Sequence, residues 1–221
     1  MSGGTAELIL FGMVAAFLVL RLRGLLGKRT GFERPAQPVV PAGQGGAAAD
    51  GTPAIASPAQ PGRPSLVVPD QRTPTGQALA RITVTDSDFD PYRFLAGAEG
   101  AFRMIVTAFA GGDRATLKPL LSQDSFVGFE GVITAREQAG ETQRTELRAV
   151  NEMAIDSADL RGSVADVTVK FVTDQINLTT AQDGSVAHGS DAVTELADLW
   201  TFQRDLHSAD PTWRLVATRS V

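Results

Sequence analysis

The stretch DPYRFLAGAEGAFRMIVTAFAGG, residues 90–112, predicts the helix around which the fold is built. Asp90 is a favourable N-cap, the proline after it suits the first helical position, and Phe89 and Phe94 have the spacing of a hydrophobic staple. The glycine pair 111–112 provides a stop signal. Between these signals, apolar side chains recur at helical spacing: Phe94, Leu95, Ala98, Phe102, Ile105, Val106 and Phe109. One face of this helix is therefore expected to be buried.

Downstream of this helix the pattern changes from helical spacing to alternation. Two shorter helices are predicted over residues 113–121 and 125–139, the first bent by Pro119. Four later segments alternate apolar and polar residues, around residues 147–155, 165–171, 196–206 and 213–217. The links between them are too short for helical crossovers, so an antiparallel meander is expected. The prediction is an α+β domain in which three N-terminal helices pack on a curved four-stranded antiparallel sheet.

The first thirty residues predict a transmembrane anchor. An uncharged apolar run at residues 8–20 is followed at once by basic residues: Arg21, Arg23, Lys28 and Arg29. Basic flanks accumulate on the cytoplasmic side of a span. A single-pass inner-membrane protein is therefore expected, with this helix in contact with lipid and the C-terminal domain in the cytoplasm. A signal peptide and an interfacial helix are alternatives that fit less well, because the run lacks a preceding basic residue and a charged face.

Residues 31–87 are expected to form a disordered linker rich in Pro, Gly and Ala. Nine of the twelve prolines fall within residues 35–74. Such a segment buries too little apolar surface to offset the entropy lost on ordering. The folded domain is therefore predicted to occupy residues 88–221.

Charge narrows the class of partner. Residues 88–221 carry twelve basic and twenty acidic side chains, a net charge of −8. A domain this acidic is not expected to bind nucleic acid, which requires a basic face. It would also be repelled by anionic headgroups, so membrane contact is assigned to the N-terminal helix. The chain has no cysteine, which excludes disulfides and thiolate chemistry.

The sequence predicts neither a metal site nor a cofactor. Asp86, Asp88 and Asp90 have the spacing of a calcium loop, but the glycine and glutamate that an EF-hand requires are absent. They are interpreted as solvated residues, with Asp90 as a helix cap. His188 and His207 have no neighbouring ligand at metal-binding spacing.

No catalytic residue is assigned, and a non-enzyme is expected. Asp198 and Arg204 fall on the same face of a predicted strand, with Trp200 and Phe202 between them. Such a pair could serve an isomerase in a cone-shaped cavity. A structural or edge pairing beside an apolar patch is the favoured alternative.

Two C-terminal motifs, DLWTFQR (198–204) and DPTWRLVAT (210–218), resemble the Tim44-like domain family, in particular its bacterial TimA-type adaptor proteins. Residues 94–112 and 117–131 support the resemblance, which covers residues 88–221. It implies an NTF2-like or cystatin-like domain with an apolar pocket, acting as a membrane-associated scaffold. The long N-terminal region through which mitochondrial relatives contact chaperone and import channel is replaced here by the Pro-rich linker. Those partners are therefore not carried over.

The implied pocket gives the candidate binding residues. Its predicted lining is Phe102, Phe109, Trp200, Phe202 and Trp213, with burial in the core as the alternative. The expected function is a membrane-tethered, non-enzymatic adaptor that binds unidentified membrane or cytoplasmic proteins, with an apolar peptide or a lipid in the pocket. The alternatives are a VirB8-like assembly factor of a secretion system with an exported domain, and a small-molecule-binding NTF2-like enzyme. A VirB8-like protein is expected to carry its basic residues before the span, whereas here they follow it.

Overall fold

The computed structural model describes residues 63–221. The elements follow the chain in the order β1 (Ser65–Val67), α1 (Pro74–Thr85), α2 (Pro91–Gly111), α3 (Arg114–Leu120), α4 (Gln123–Gln138), β2 (Thr142–Arg161), β3 (Val164–Thr180), β4 (Val186–Asp205) and β5 (Arg214–Ser220). Apart from the short β1, the helices precede the strands. The predicted anchor, and the linker up to residue 62, lie outside the described residues.

The five strands form one sheet in the order β1-β2-β3-β4-β5. Strands β2 to β5 pair antiparallel with their neighbours, which confirms the predicted meander. The added strand, β1, runs parallel to β2 and pairs with residues 152–154. Its three side chains are all exposed, so no alternation of polar and apolar residues marked it in the sequence.

The central helix α2 begins and ends as predicted. The backbone N–H of Arg93 donates to Oδ1 of Asp90 at 2.8 Å, so the N-cap is in place. The rings of Phe89 and Phe94 lie 5.9 Å apart, which completes the staple. At the other end Gly112 has φ 71°, in the left-handed region that glycine adopts without a Cβ clash.

The core lies between α2 and the sheet. Phe102 of α2 is fully buried, and its ring stacks on Phe171 of β3 at 4.5 Å and contacts Trp200 of β4 at 4.6 Å. These aromatic contacts fix the helix across the middle of the sheet. The α+β class, with helices on one face of an antiparallel meander, is confirmed.

Helix α4 closes the C-terminal end of α2. The guanidinium of Arg136 donates to the carbonyls of Phe109 at 2.9 Å and Ala110 at 3.1 Å. It also lies 5.4 Å from the centre of the Phe109 ring. Carbonyls in the last turn of a helix have no partner within the helix, so Arg136 satisfies two of them.

The prediction of a disordered linker extending to residue 87 is wrong from Ser65 onward. The side chain of Thr73 caps α1, accepting from the N–H of Gly76 at 3.0 Å. Leu79 and Ile82 are buried, and α1 packs against β2. The prolines that suggested disorder include the residue that opens this helix, where a missing N–H costs nothing. Within residues 63–221 there are therefore four helices rather than the three predicted for the domain.

A substitution at Gly76 tests whether α1 and the turn before it are ordered. A Cβ at Gly76 would lie 2.1 Å from the carbonyl oxygen of Asp70, so the turn before α1 would have to move. Gly76→Ala is expected to lower the free energy of unfolding by about 1–3 kcal/mol, measured by chemical denaturation. Gly97→Ala is the control, because a Cβ at Gly97 meets no atom within 4 Å. Equal stability of the two variants would show that residue 76 belongs to a disordered segment.

One helix among residues 63–221, α2, has the length and apolar composition of a membrane span. It is also the central helix of the core, with eight buried residues along its length. A core helix of a folded domain meets the same criteria, and this accounts for its composition.

Candidate functional site

An apolar groove lies between the N-terminal half of α2 and the end of β4. Its volume is about 340 Å³, and α2 forms one wall. Trp213 and Thr212, in the loop before β5, lie at the other side. The apolar lining consists of Phe89, Phe94, Ala98, Leu120, Phe202 and Trp213, together with Gly97, Ala101 and Met104 of the α2 wall.

The aromatic residues of the groove form one contiguous cluster. The rings of Phe94 and Trp213 meet at 4.9 Å in an edge-to-face arrangement, and Phe202 lies edge-on to Phe94 at 6.1 Å. Phe89 contacts Trp213 at 5.8 Å. Phe89, Phe94 and Phe202 are buried, whereas Trp213 remains partly exposed. The groove is therefore lined by a packed cluster of aromatic rings, of which Trp213 is the partly exposed member.

The side of α2 that lines the groove, called the α2 wall, carries small and apolar residues. Gly97 and Ala101 are one turn apart, and Met104 follows with 48% of its surface exposed. An added Cβ at Gly97 would meet no atom within 4 Å, so the wall is open beside it. A flexible methionine beside small residues can adapt to side chains of different shape.

One end of the groove is charged. Nη1 of Arg204 forms an ion pair with Oδ2 of Asp86 at 2.8 Å, and the two side chains are only 17% and 14% exposed. Nε of Arg204 is buried and has no hydrogen-bond partner in residues 63–221. Asp88, Asp90 and Arg93 also line the groove and are exposed. The opposite end, at Leu120 and Met104, is apolar.

The loop that carries Thr212 and Trp213 is held by Asp210. Oδ1 of Asp210 accepts from the N–H of Thr212 at 3.0 Å, and Oδ2 accepts from Nη2 of Arg214 at 2.8 Å. The hydrogen bonds from Thr212, and then the charges of Arg214 and Arg204, hold the pKa of Asp210 below its ordinary value of 3.8. These contacts are therefore present at neutral pH and are lost only as the pH falls through that lowered pKa.

The five predicted pocket residues lie in two different places in the structure. Phe202 and Trp213 line the groove. Phe102, Phe109 and Trp200 do not; they are buried in the core between α2 and the sheet, where Phe109 packs edge-on against Phe129 of α4. Spacing alone could not separate the two groups, because all five lie on core-facing positions of their elements.

Asp198 and Arg204 bind different partners rather than each other. Oδ1 of Asp198 accepts from the hydroxyl of Ser220 at 2.9 Å, whereas Arg204 binds Asp86. Oδ2 of Asp198 is buried without a partner in the described part of the chain. Only Arg204 lines the groove. Their shared strand face brings them to opposite ends of the apolar row that Trp200 and Phe202 form.

The interpretation of the Asp86, Asp88 and Asp90 cluster as solvated residues is wrong for Asp86, which is bound to Arg204. No group of three or more His, Asp or Glu side chains among residues 63–221 is placed to hold a metal ion. The Asp86–Arg204 pair was missed because its members lie 118 residues apart. Met104 could have been predicted as a groove residue from the sequence, since it is an apolar residue outside the buried face of α2.

The domain is therefore of the α+β class, with one helix laid across an antiparallel meander and an apolar groove beside that helix. The model of the Tim44-like domain matches residues 75–220, and the chain belongs to this family. The match begins in the first turn of α1, which agrees with the ordered structure found there. A comparison with curated proteins found no match.

Solved structures similar to the chain are distant in sequence. The intermembrane space region of the chloroplast protein ARC6 has a TM-score of 0.43 at 11% identity, covering 57% of this chain and 95% of that one. A conserved protein from Planctomyces limnophilus has a TM-score of 0.32 at 14% identity, covering 56% and 94%. A ketosteroid isomerase-like protein from Erwinia carotovora atroseptica has a TM-score of 0.30 at 16% identity, covering 57% and 95%.

Proposed function

We propose that the chain is a membrane-tethered, non-enzymatic adaptor of the TimA type, whose Tim44-like domain binds a partner protein in the groove. The observation that carries this proposal is the groove itself. Its lining combines tryptophan, phenylalanine, methionine and arginine around an opening between α2 and the β5 loop. These residue types are enriched at the centres of protein interfaces, where they supply most of the binding energy.

A non-enzymatic role is favoured by the placement of the polar groups. Arg204 is held by Asp86, and Asp198 is held by Ser220 outside the groove. A general acid or base must lie within hydrogen-bond reach of the reacting group. Asp198 and Arg204 instead bind a residue of β5 and the residue after α1, which supports a role for both in stabilising the fold.

Gly97 allows the groove to be blocked without disturbing the fold. A leucine at position 97 extends into the open space beside α2, and leucine favours a helix over glycine by about 1 kcal/mol. Gly131→Leu is the matched control, because Gly131 lies in α4, outside the groove, and an added Cβ there also meets no atom.

Gly97→Leu in the full-length membrane-embedded chain is expected to reduce chemical crosslinking to its partner at least about tenfold, while Gly131→Leu leaves it unchanged. The measurement is quantitative mass spectrometry of crosslinked, affinity-purified material. Equal capture by both variants would place the partner site elsewhere and contradict the proposal.

The membrane topology is tested separately. We infer from the basic residues after the apolar run that the domain lies in the cytoplasm. A fluorescent protein fused to the C terminus is expected to fluoresce, and alkaline phosphatase fused there is expected to be inactive. Active phosphatase would reverse the orientation and favour an exported domain of the VirB8-like kind.

A further inference from the structure

We propose that Asp198 and Trp200, the first and third residues of the DLWTFQR motif, bind a water molecule inside the core. Asp198 is 2% exposed and Trp200 is 3% exposed. Oδ2 of Asp198 and Nε1 of Trp200 are both buried without a hydrogen-bond partner among residues 63–221. A buried polar atom without a hydrogen bond destabilises a fold, and internal water is the usual means of satisfying one. The two atoms therefore point to a shared ligand.

The two side chains are neighbours on one face of β4. Asp198 pairs with Phe171 and Trp200 pairs with Val169, and both of these β3 residues belong to the core. Residues two apart on a strand are separated by about 7 Å. A water molecule bonded to two atoms spans roughly 5.8 Å between them, at about 2.9 Å for each hydrogen bond. One water is therefore large enough to bridge side chains at this spacing.

The chemistry of the two atoms selects the ligand. The indole N–H of Trp200 can only donate a hydrogen bond, and a carboxylate oxygen of Asp198 can only accept one. An ammonium group could therefore satisfy Asp198 alone, and a carbonyl group or an anion could satisfy Trp200 alone. A hydroxyl group accepts from one and donates to the other. Because both side chains are almost fully buried, we assign this hydroxyl to water.

Two neighbouring hydroxyl groups support the site. Oγ of Ser220, on β5, donates to Oδ1 of Asp198 at 2.9 Å and so restrains the carboxylate. Oγ1 of Thr173, on β3, accepts from Nε2 of Gln175 at 2.7 Å and has its own proton to donate. Thr173 is fully buried and lies diagonally across the strand pair from Asp198, on the same face of the sheet. Its hydroxyl can therefore give the water a third hydrogen bond.

Nuclear magnetic resonance of the two tryptophans tests this inference. The full-length chain in detergent micelles is deuterated at carbon and isotopically labelled at the indole nitrogens of Trp200 and Trp213, its two tryptophans. Trp213→Phe assigns the two signals. The Trp200 indole proton is expected to show a cross-peak to water, with NOE and ROE of opposite sign, as for a long-lived bound water. Asp198→Leu is expected to remove this cross-peak, whereas Asp198→Asn, whose amide oxygen still accepts, is expected to keep it.

The absence of a water cross-peak at Trp200 would overturn the inference. So would a cross-peak that survives Asp198→Leu; its loss in Thr173→Val would then trace it to the Thr173 hydroxyl, whose proton exchanges with water. Cross-peaks to carbon-bound protons would show that a co-purified alcohol supplies the hydroxyl, and would overturn the assignment to water. If Asp198→Leu does not fold, Asp198→Val replaces it, since valine is smaller and suits a strand.

Discussion

Replacing Phe102 with alanine is expected to lower the free energy of unfolding by about 3–5 kcal/mol, a large part of a domain's total stability. The ring is fully buried and contacts Phe171 and Trp200 at centroid distances of 4.5 and 4.6 Å. Its removal leaves a cavity where α2 crosses the sheet, and neighbours held by two strands cannot collapse into it. Chemical denaturation followed by far-ultraviolet circular dichroism measures the loss.

Tyr92→Ala provides the comparison on the same helix. Tyr92 is 55% exposed, so its removal is expected to cost less than about 1 kcal/mol. If Phe102→Ala were equally mild and instead reduced partner capture, Phe102 would line a binding pocket, as the sequence suggested, and the assignment of the core would be wrong.

Replacing Asp86 with alanine is expected to cost about 3 kcal/mol, because it leaves the charge of Arg204 largely buried and uncompensated. The side chains of the pair are 17% and 14% exposed, and Nε of Arg204 already has no partner within the described residues. Asp86 also follows α1 directly, so the variant loosens the connection between α1 and the charged end of the groove.

A double variant tests whether the ion pair itself accounts for the stability lost in Asp86→Ala. Asp86→Ala combined with Arg204→Met removes both charges and is expected to recover most of the lost stability. Arg72→Ala breaks an ion pair in which the arginine is 91% exposed, and it is expected to cost less than about 1 kcal/mol. A double variant no more stable than Asp86→Ala would show that the ion pair does not account for the loss.

The elements with a strong local pattern could be predicted from the sequence. Helix α2 combines a cap, a staple and a glycine stop, and β3 alternates apolar and polar residues from Ala165 to Phe171; each signal lies within a few residues of the chain. Strand β1 and helix α1 have no comparably strong local pattern. β1 has three residues, and α1 begins at a proline that ends a proline-rich segment, so composition outweighed the short apolar stripe at Leu79 and Ile82.

The groove was harder to predict than the fold because it depends on contacts between distant residues. Phe202 and Trp200 are two residues apart on one strand face, yet the first lines the groove and the second lies under α2. The difference comes from where α2 crosses the sheet, which no spacing in the sequence records. The Asp86–Arg204 pair likewise depends on the path of the chain between α1 and α2.

Photo-crosslinking from two positions tests the central claim, binding of a partner protein in the groove, most directly. A photoreactive residue is placed at position 104, in the groove, or at position 127, in α4 outside it; Met104 and Val127 are 48% and 38% exposed, so the two sites are comparably accessible. In the full-length chain produced in cells, position 104 is expected to give a protein adduct that Gly97→Leu abolishes, and position 127 little or none. Equal yields at the two positions, or no protein adduct from position 104, would contradict the claim.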